Sequence, residues 1–142
     1  MPAYTEATMA YYTKWVCRLD PFPEHVLRSF SNVNETVYGT MQGTEWNVTG
    51  NLVGWDVSPR LGELRLPTLV TSGRYDEVTP ALVEPLVTGI RGAEQVVFEN
   101  SSHLAMVEEP DRYREVLESF CARVETDGLH SSKSTSGTMT CQ

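Results

Sequence analysis

The chain has 142 residues, which is enough for one domain with a modest core. Its 19 acidic and 11 basic residues give a formal net charge of −8, and no cluster of Lys and Arg alternates with aromatic residues. This balance excludes nucleic acids and anionic membranes as expected partners.

The cysteine pattern indicates reduced thiols, and the sequence shows neither a membrane span nor a secretion signal. Cys17, Cys121 and Cys141 match neither the spacing of a metal site nor the even count of a disulfide framework. No apolar run approaches the roughly 20 residues of a membrane span. The first residues also lack the basic and apolar regions of a secretion signal. We therefore expect reduced thiols, no metal and a cytoplasmic location.

Two helices and a polar loop are predicted in the first 62 residues. The apolar residues of the first helix, within residues 4–18, recur at helical spacing: Tyr4, Met9, Tyr12, Trp15 and Val16. Pro21 and Pro23 end this helix, and Pro23 suits the first turn of the next. One apolar stripe then predicts a single second helix: Val26, Leu27, Phe30, Val33, Val37 and Met41. Residues 39–62 are richer in Gly, Asn and Thr and contain the predicted loop Gly43-Thr44-Glu45-Trp46.

A strand-helix-strand unit is predicted next. Apolar, β-branched runs at residues 66–72 and 94–99 predict parallel strands, which need a crossover helix at residues 80–90. Pro85 would fall inside that helix at a cost of about 3 kcal/mol, so we expect a helix that is broken at Pro85.

The last predicted helix begins at Pro110 and ends near Val124. Its apolar residues are spaced as a core-facing stripe: Tyr113, Val116, Leu117, Phe120, Cys121 and Val124. Residues 126–142 contain four Ser, four Thr and two Gly with almost nothing apolar, and they predict a disordered tail.

An acid follows the first predicted strand and a histidine follows the second. They are Asp76 and His103. Because the carboxyl ends of parallel strands share one edge of a sheet, both side chains are expected there. The order is that of the second half of a Ser…Asp…His triad, in which histidine is the base and the carboxylate orients it. A turn-capping Asp76 and an ordinary loop His103 are the alternative.

Five sequence blocks in a constant order carry a resemblance to a known family. They are Glu45-Trp46-Asn47-Val48-Thr49-Gly50, Trp55-Asp56-Val57, Pro67-Thr68-Leu69-Val70, Gly73-Arg74-Tyr75-Asp76-Glu77-Val78-Thr79-Pro80 and Ser101-Ser102-His103-Leu104. With them, residues 17–124 resemble the C-terminal portion of a proline iminopeptidase, a serine aminopeptidase of the α/β-hydrolase superfamily. The resemblance implies an α/β fold, with part of a helical lid over residues 1–62. Residues 63–125 would form the last two parallel strands of the core and their helices.

The resemblance also implies roles for five residues. Asp76 and His103 would be the acid and the base of the catalytic triad. Glu45 and Glu77 would bind the free N-terminal amine of a peptide or amino-acid amide by charge-assisted hydrogen bonds, unless they are a solvated loop acid and a helix N-terminal charge. Trp46 would wall a slot for the proline ring or else belong to the lid core. No metal or organic cofactor is implied.

The serine of the triad is not found among the 142 residues. They contain no Gly-x-Ser-x-Gly and no His-Gly-Gly loop, and no serine has the strand-turn-helix setting that activates a hydroxyl. We therefore interpret the chain as a fragment that is inactive alone. Another chain or segment would supply the serine and the N-terminal half of the fold. The alternatives are an amidase or esterase of the same superfamily and a truncated, inactive paralogue.

Overall fold

The computed structural model describes residues 2–44 and 46–133. In chain order the elements are α1 (Pro2–Trp15), α2 (Glu24–Ser31), α3 (Glu35–Met41), β1 (Gly43–Thr44), β2 (Asn47–Val48), a 3₁₀ helix (Ser58–Glu63), β3 (Leu69–Gly73), α4 (Pro80–Gly89), β4 (Glu94–Phe98), α5 (Ala105–Glu108) and α6 (Pro110–Lys133). None of the helices in this described part of the chain is long and apolar enough to cross a membrane.

The parallel pair of β3 and β4 organises the core region. Leu69 is in register with Glu94 and Gly73 with Phe98, so the two strands end side by side. α4 connects them, because parallel neighbours need a crossover rather than a tight turn. The predicted parallel strand-helix-strand unit is confirmed. β1 and β2 form a separate antiparallel hairpin that overlaps the predicted loop.

The buried core lies between β4 and the two helices that follow it. Phe98, Ala105 and Val116 are buried together, and the ring of Tyr113 stacks on Phe98 with 5.3 Å between the ring centroids. These contacts anchor both ends of residues 99–104. That segment carries the predicted base.

The crossover helix is continuous, so the predicted break at Pro85 is wrong. α4 runs from Pro80 through Pro85 to Gly89. A proline in this position removes one backbone hydrogen bond but leaves the remaining ones in place. α4 packs against β3 and the 3₁₀ helix, and Gly89 lies against the side chain of Leu61. Tertiary packing therefore outweighs the local cost.

Replacing Pro85 with alanine is expected to raise the free energy of unfolding by about 2 kcal/mol. The substitution restores an N–H donor inside α4, and this gain exceeds the added entropy of the unfolded chain. Urea unfolding of the two proteins measures the difference. An unchanged or lower stability would mean that α4 gains nothing from the restored donor.

The predicted single second helix is wrong, because the structure divides it into α2 and α3. Asn32 ends α2, and the side chain of Asn34 accepts a hydrogen bond from Val37 N at 3.0 Å as the N-cap of α3. Asparagine side chains offer the backbone a local partner outside the helix, which favours a boundary. Of the predicted stripe, Val26 alone is buried.

The last helix begins at Pro110 as predicted but extends to Lys133. The predicted end near Val124, and the predicted onset of disorder at residue 126, are therefore wrong. Each residue added to an existing helix gains one hydrogen bond without a new nucleation cost. Within the predicted stripe Val116 is buried, whereas Leu117 is 39% exposed. Residues 134–142 of the predicted tail lie outside the described residues.

Candidate active site

Asp76 lies in the turn that follows β3 and contacts His103. Its nearly buried side chain accepts two hydrogen bonds at Oδ1, from Val78 N at 2.8 Å and from His103 Nδ1 at 2.9 Å. Turn capping and contact with the histidine, which the sequence left as alternatives, are both present. The His103 side chain remains 44% exposed, so it can also meet a ligand.

This contact decides which nitrogen of His103 is free. An ionised carboxylate only accepts hydrogen bonds, so a neutral imidazole beside Asp76 carries its proton on Nδ1. Nε2 then keeps its lone pair and can take a proton from a hydroxyl group that approaches within hydrogen-bond distance. The arrangement is chemically that of a general base oriented by a carboxylate.

The loops after β3 and β4 touch at Gly73. A Cβ atom built on Gly73 would lie 2.1 Å from the carbonyl oxygen of Ser102 and 2.5 Å from that of Ser101. Tyr75 N also donates a hydrogen bond to Ser101 O at 3.0 Å. The absent side chain at Gly73 thus allows the close approach that brings Asp76 to His103.

An exposed ion pair joins the same two strand ends. Arg74 and Glu99 directly follow β3 and β4, and their side chains form two hydrogen bonds of 2.8 and 2.6 Å. Hydrogen bonding to Arg74 lowers the pKa of Glu99, and the same bond raises the pKa of Arg74. Water and salt screen a pair this exposed, so its contribution to stability is small.

The end of α1 is hydrogen-bonded to the histidine loop. The N–H of His103 donates to the carbonyl oxygen of Trp15 at 3.2 Å, and that of Leu104 donates to Val16 O at 3.0 Å. α1 therefore meets the strand-helix core at the residue that carries the candidate base.

A cleft of about 330 Å³ opens beside His103. Its walls are mostly aromatic or aliphatic, with one carboxylate: Tyr12, Val16, Phe30, Val33, Tyr38, Glu77 and His103. The rings of Tyr12 and Phe30 lie 5.5 Å apart between centroids. Apolar walls with a few charged groups are typical of small-molecule sites. This cleft suits a ligand that combines an apolar group with a positive charge.

This chain is similar in sequence and in fold to known proteins. The proline iminopeptidase of Saccharolobus solfataricus is 39% identical over 125 residues, which cover 87% of this chain and 40% of that protein. The crystal structure of the Mycobacterium smegmatis proline iminopeptidase matches with a TM-score of 0.83 and 34% identity, over 89% of this chain and 44% of the other. The crystal structure of VinJ matches with a TM-score of 0.79 and 38% identity, over 85% and 42% of the two chains. No protein-family model matches the sequence.

The chain matches the C-terminal portion of the proline iminopeptidases. It spans about two fifths of the length of the curated relatives, since it covers 40% and 41% of two of them. The predicted fold class is confirmed, because the matching structures are α/β-hydrolases. The resemblance inferred from the five sequence blocks is confirmed with it.

The resemblance linked Glu77, Glu45 and Trp46 to the substrate, and these residues do not share one place in the structure. Glu77 is in the wall of the cleft beside His103, whereas Glu45 lies outside the described residues. Trp46 contacts α1, because its Nε1 donates to Tyr4 Oη at 2.9 Å and its ring meets Tyr11 edge-on at 4.9 Å. Trp46 contacts α1 but is 49% exposed, so it is not part of a buried lid core in the described residues. Its role as a wall of the proline slot stays a prediction.

Two carboxylates that sequence reasoning did not single out hold the histidine loop. Glu109 accepts hydrogen bonds from Asn100 N and Ser101 Oγ, and Glu108 accepts them from the N–H and Oγ of Ser102. Ser101 and Ser102 are completely buried. The only signal in the sequence is two acids directly before a helix-starting proline. That signal equally fits helix N-terminal charges in solvent.

Cys17 and Cys121 are free thiols in different surroundings. Cys17 is completely buried just after α1, and Cys121 is exposed on α6. Burial raises the pKa of the Cys17 thiol, because the apolar surroundings disfavour the thiolate. Cys141 lies outside the described residues. Within residues 2–44 and 46–133, no three His, Cys, Asp or Glu side chains lie close enough to hold a metal ion.

A thiol reagent is expected to modify Cys17 at least about 100-fold more slowly in the folded chain than in urea. The protein to use is the Cys121→Ser, Cys141→Ser double variant, in which Cys17 is the remaining thiol. A matched double variant that keeps Cys121 instead should react at nearly the same rate with and without urea. Equal rates for the two thiols in buffer would contradict the burial of Cys17.

The raised pKa of Cys17 also sets the sign of a pH effect. The unfolded thiol ionises near pH 8.5, and the folded one ionises only at higher pH. The stabilisation from keeping Cys17 neutral is therefore complete below the unfolded pKa, and it is lost as the pH rises through the folded pKa.

Proposed function

We propose that this chain supplies the acid and the base of a serine aminopeptidase that releases an N-terminal residue, with proline as the expected residue. The observation that carries the proposal is the 2.9 Å contact between Asp76 and His103 beside a cleft that also contains Glu77. The similarity to proline iminopeptidases supports it.

In the proposed reaction, the serine hydroxyl attacks the carbonyl carbon of the N-terminal residue. His103 Nε2 takes the hydroxyl proton and returns it to the leaving amine, while Asp76 stabilises the imidazolium that forms. Water, activated by the same imidazole, then hydrolyses the acyl-enzyme. Glu77, together with Glu45, would hold the protonated amine of the substrate and so restrict cleavage to the first residue.

We propose further that the serine comes from a segment or chain outside these 142 residues. Two features favour such a partner. Among the described residues β3 is hydrogen-bonded to β4 alone, so its other edge has free backbone groups. Large apolar side chains are also exposed on α2, on α3 and in the turn between them: Leu27, Phe30, Val33, Val37, Tyr38 and Met41. The chain alone is therefore expected not to turn over a proline amide.

The test uses a chimaera in which the N-terminal portion of the Saccharolobus solfataricus relative, up to the start of its match, precedes this chain. The chimaera is expected to hydrolyse proline 4-nitroanilide and to leave N-acetylproline 4-nitroanilide intact. Glu77→Gln should lower kcat/KM for the free amine about 30-fold or more, since it removes a charged acceptor. Glu115→Gln changes the same charge at an exposed pair with Arg112 and should have no effect.

A second candidate is an amidase or esterase of the same superfamily. The largely apolar wall of the cleft favours it, because such a wall accepts an uncharged acyl group equally well. In that case the chimaera would cleave small esters or the acetylated substrate, and Glu77→Gln would leave the rate unchanged. If the soluble, folded chimaera hydrolyses none of these substrates, the remaining interpretation is an inactive paralogue.

A further inference from the structure

Glu108 uses both of its carboxylate oxygens to join two distant parts of the chain. Oε1 accepts a hydrogen bond from Arg18 N at 2.8 Å. Oε2 accepts two from Ser102, from the backbone N–H at 2.7 Å and from Oγ at 2.8 Å. Arg18 lies just after α1, and Ser102 directly precedes His103. One side chain thus connects the helical region to the histidine loop.

The same two segments are also joined by backbone hydrogen bonds at His103 and Leu104. The N–H of His103 donates to Trp15 O and that of Leu104 donates to Val16 O, so these bonds join the same two segments that Glu108 joins. Ser102 is completely buried, and Glu108 is the partner that satisfies both its N–H and its hydroxyl. The backbone of His103 is therefore held from both directions.

We propose that Glu108 is a positioning residue for His103. By holding Ser102 and Arg18 together, its carboxylate fixes the loop so that Nδ1 of the imidazole points to Asp76. A carboxylate is needed because two backbone N–H groups, those of Arg18 and Ser102, donate to different oxygens of Glu108, and neither N–H can accept a hydrogen bond. A glutamine would turn its NH₂ group toward at least one of these donors. The catalytic meaning of this positioning rests on the proposed function, whereas the orientation of His103 does not.

Glu109 provides an internal comparison. It contacts the same loop one and two residues before Ser102, at Ser101 Oγ and Asn100 N, whereas Glu108 also reaches Arg18 N after α1. Glu108 is thus the carboxylate that links the residue next to His103 with the helical region. The two adjacent acids are expected to differ in their effect on the imidazole.

The experiment measures the ratio of the two neutral imidazole tautomers of His103 by nitrogen-15 NMR of the histidine-labelled chain in alkaline buffer. His103→Ala assigns the signals. In the unmodified chain the form protonated on Nδ1 should predominate, because Asp76 accepts from it. Glu108→Gln should reduce the ratio of that form to the other by roughly tenfold or more. Glu115→Gln, which neutralises an exposed carboxylate on α6, should leave the ratio unchanged.

Backbone hydrogen exchange in β3 and β4 distinguishes positioning from a general loss of stability. For Glu108→Gln, positioning predicts unchanged exchange in the strands together with the altered tautomer ratio. An unaltered ratio, or an equal acceleration of exchange throughout the chain, would overturn the proposal. If Glu108→Gln does not fold, Ser102→Ala tests the proposal instead. It removes the bond from Ser102 Oγ to Glu108 and should lower the tautomer ratio of His103 by a smaller factor. An unchanged ratio there would also refute the role of Glu108, whatever the hydrolysis assay of the chimaera gives.

Discussion

An active assembly that contains this chain is expected to lose about four orders of magnitude in kcat when Asp76 is replaced with asparagine. The substituted amide can donate a hydrogen bond to Nδ1 of His103, which favours the tautomer with its proton on Nε2. The lone pair that should accept the serine proton is then missing. KM should change little, because Asp76 lies behind His103 and is only 6% exposed.

The proline 4-nitroanilide assay of the chimaera measures this loss. His103→Ala should have an effect of the same order, and the double variant should be no worse than the more damaging single one, because the two residues act as a unit. Glu115→Gln serves as the charge-matched control. A loss below about tenfold in either single variant, with the fold intact, would refute the assignment of Asp76 and His103 as orienting acid and base.

Replacing Gly73 with alanine is expected to lower the free energy of unfolding by about 3 kcal/mol. The added methyl group would lie 2.1 Å from Ser102 O, and a backbone carbonyl in this loop cannot rotate away as a long side chain can. The loops after β3 and β4 must then separate. Because one carries Asp76 and the other His103, the 2.9 Å contact between them should lengthen as well.

Urea unfolding of the chain measures the stability change, and Gly39→Ala is the matched control. A Cβ atom at Gly39, within α3, has nothing within 4 Å. That substitution is expected to stabilise the chain by about 0.5–1 kcal/mol, because alanine favours the helix more than glycine does. Equal effects of the two substitutions would show that close packing at Gly73 is not what requires the glycine.

The arrangement around His103 explains why the helical region matters for a site at the sheet edge. Asp76 reaches the imidazole from the turn after β3, while the backbone of His103 is bonded to Trp15 at the end of α1. Glu108 adds a third attachment through Ser102. A displacement of α1 would therefore be transmitted to the candidate base over one or two hydrogen bonds.

Local patterns in the sequence were sufficient for the strand-helix-strand unit and for singling out Asp76 and His103. Two apolar, β-branched runs predicted β3 and β4, and their parallel pairing followed from the need for a crossover between them. Asp76 and His103 were found because the carboxyl ends of parallel strands lie at one edge, a geometric rule that needs no coordinates. The local patterns of β3 and β4 agree with the parallel pairing that the structure shows.

Where local signals competed, the structure decided between them. Pro85 argued for a broken crossover, yet packing of α4 on β3 and the 3₁₀ helix outweighs one lost hydrogen bond. The apolar stripe from Val26 to Met41 argued for one helix, yet capping by Asn34 divides it. In each case the local pattern carried no information about the bond or contact that competed with it.

What the sequence by itself determined is the strand-helix-strand unit, the positions of its carboxylate and histidine, and the resemblance to proline iminopeptidases carried by five ordered blocks. The tertiary structure decided that Trp46 contacts α1 and that Glu108 joins Arg18 to Ser102. The physical reason is the range of the interactions. Strands and helices are specified by neighbours a few residues apart, whereas Arg18 and Glu108 are 90 residues apart in the chain and meet only after folding.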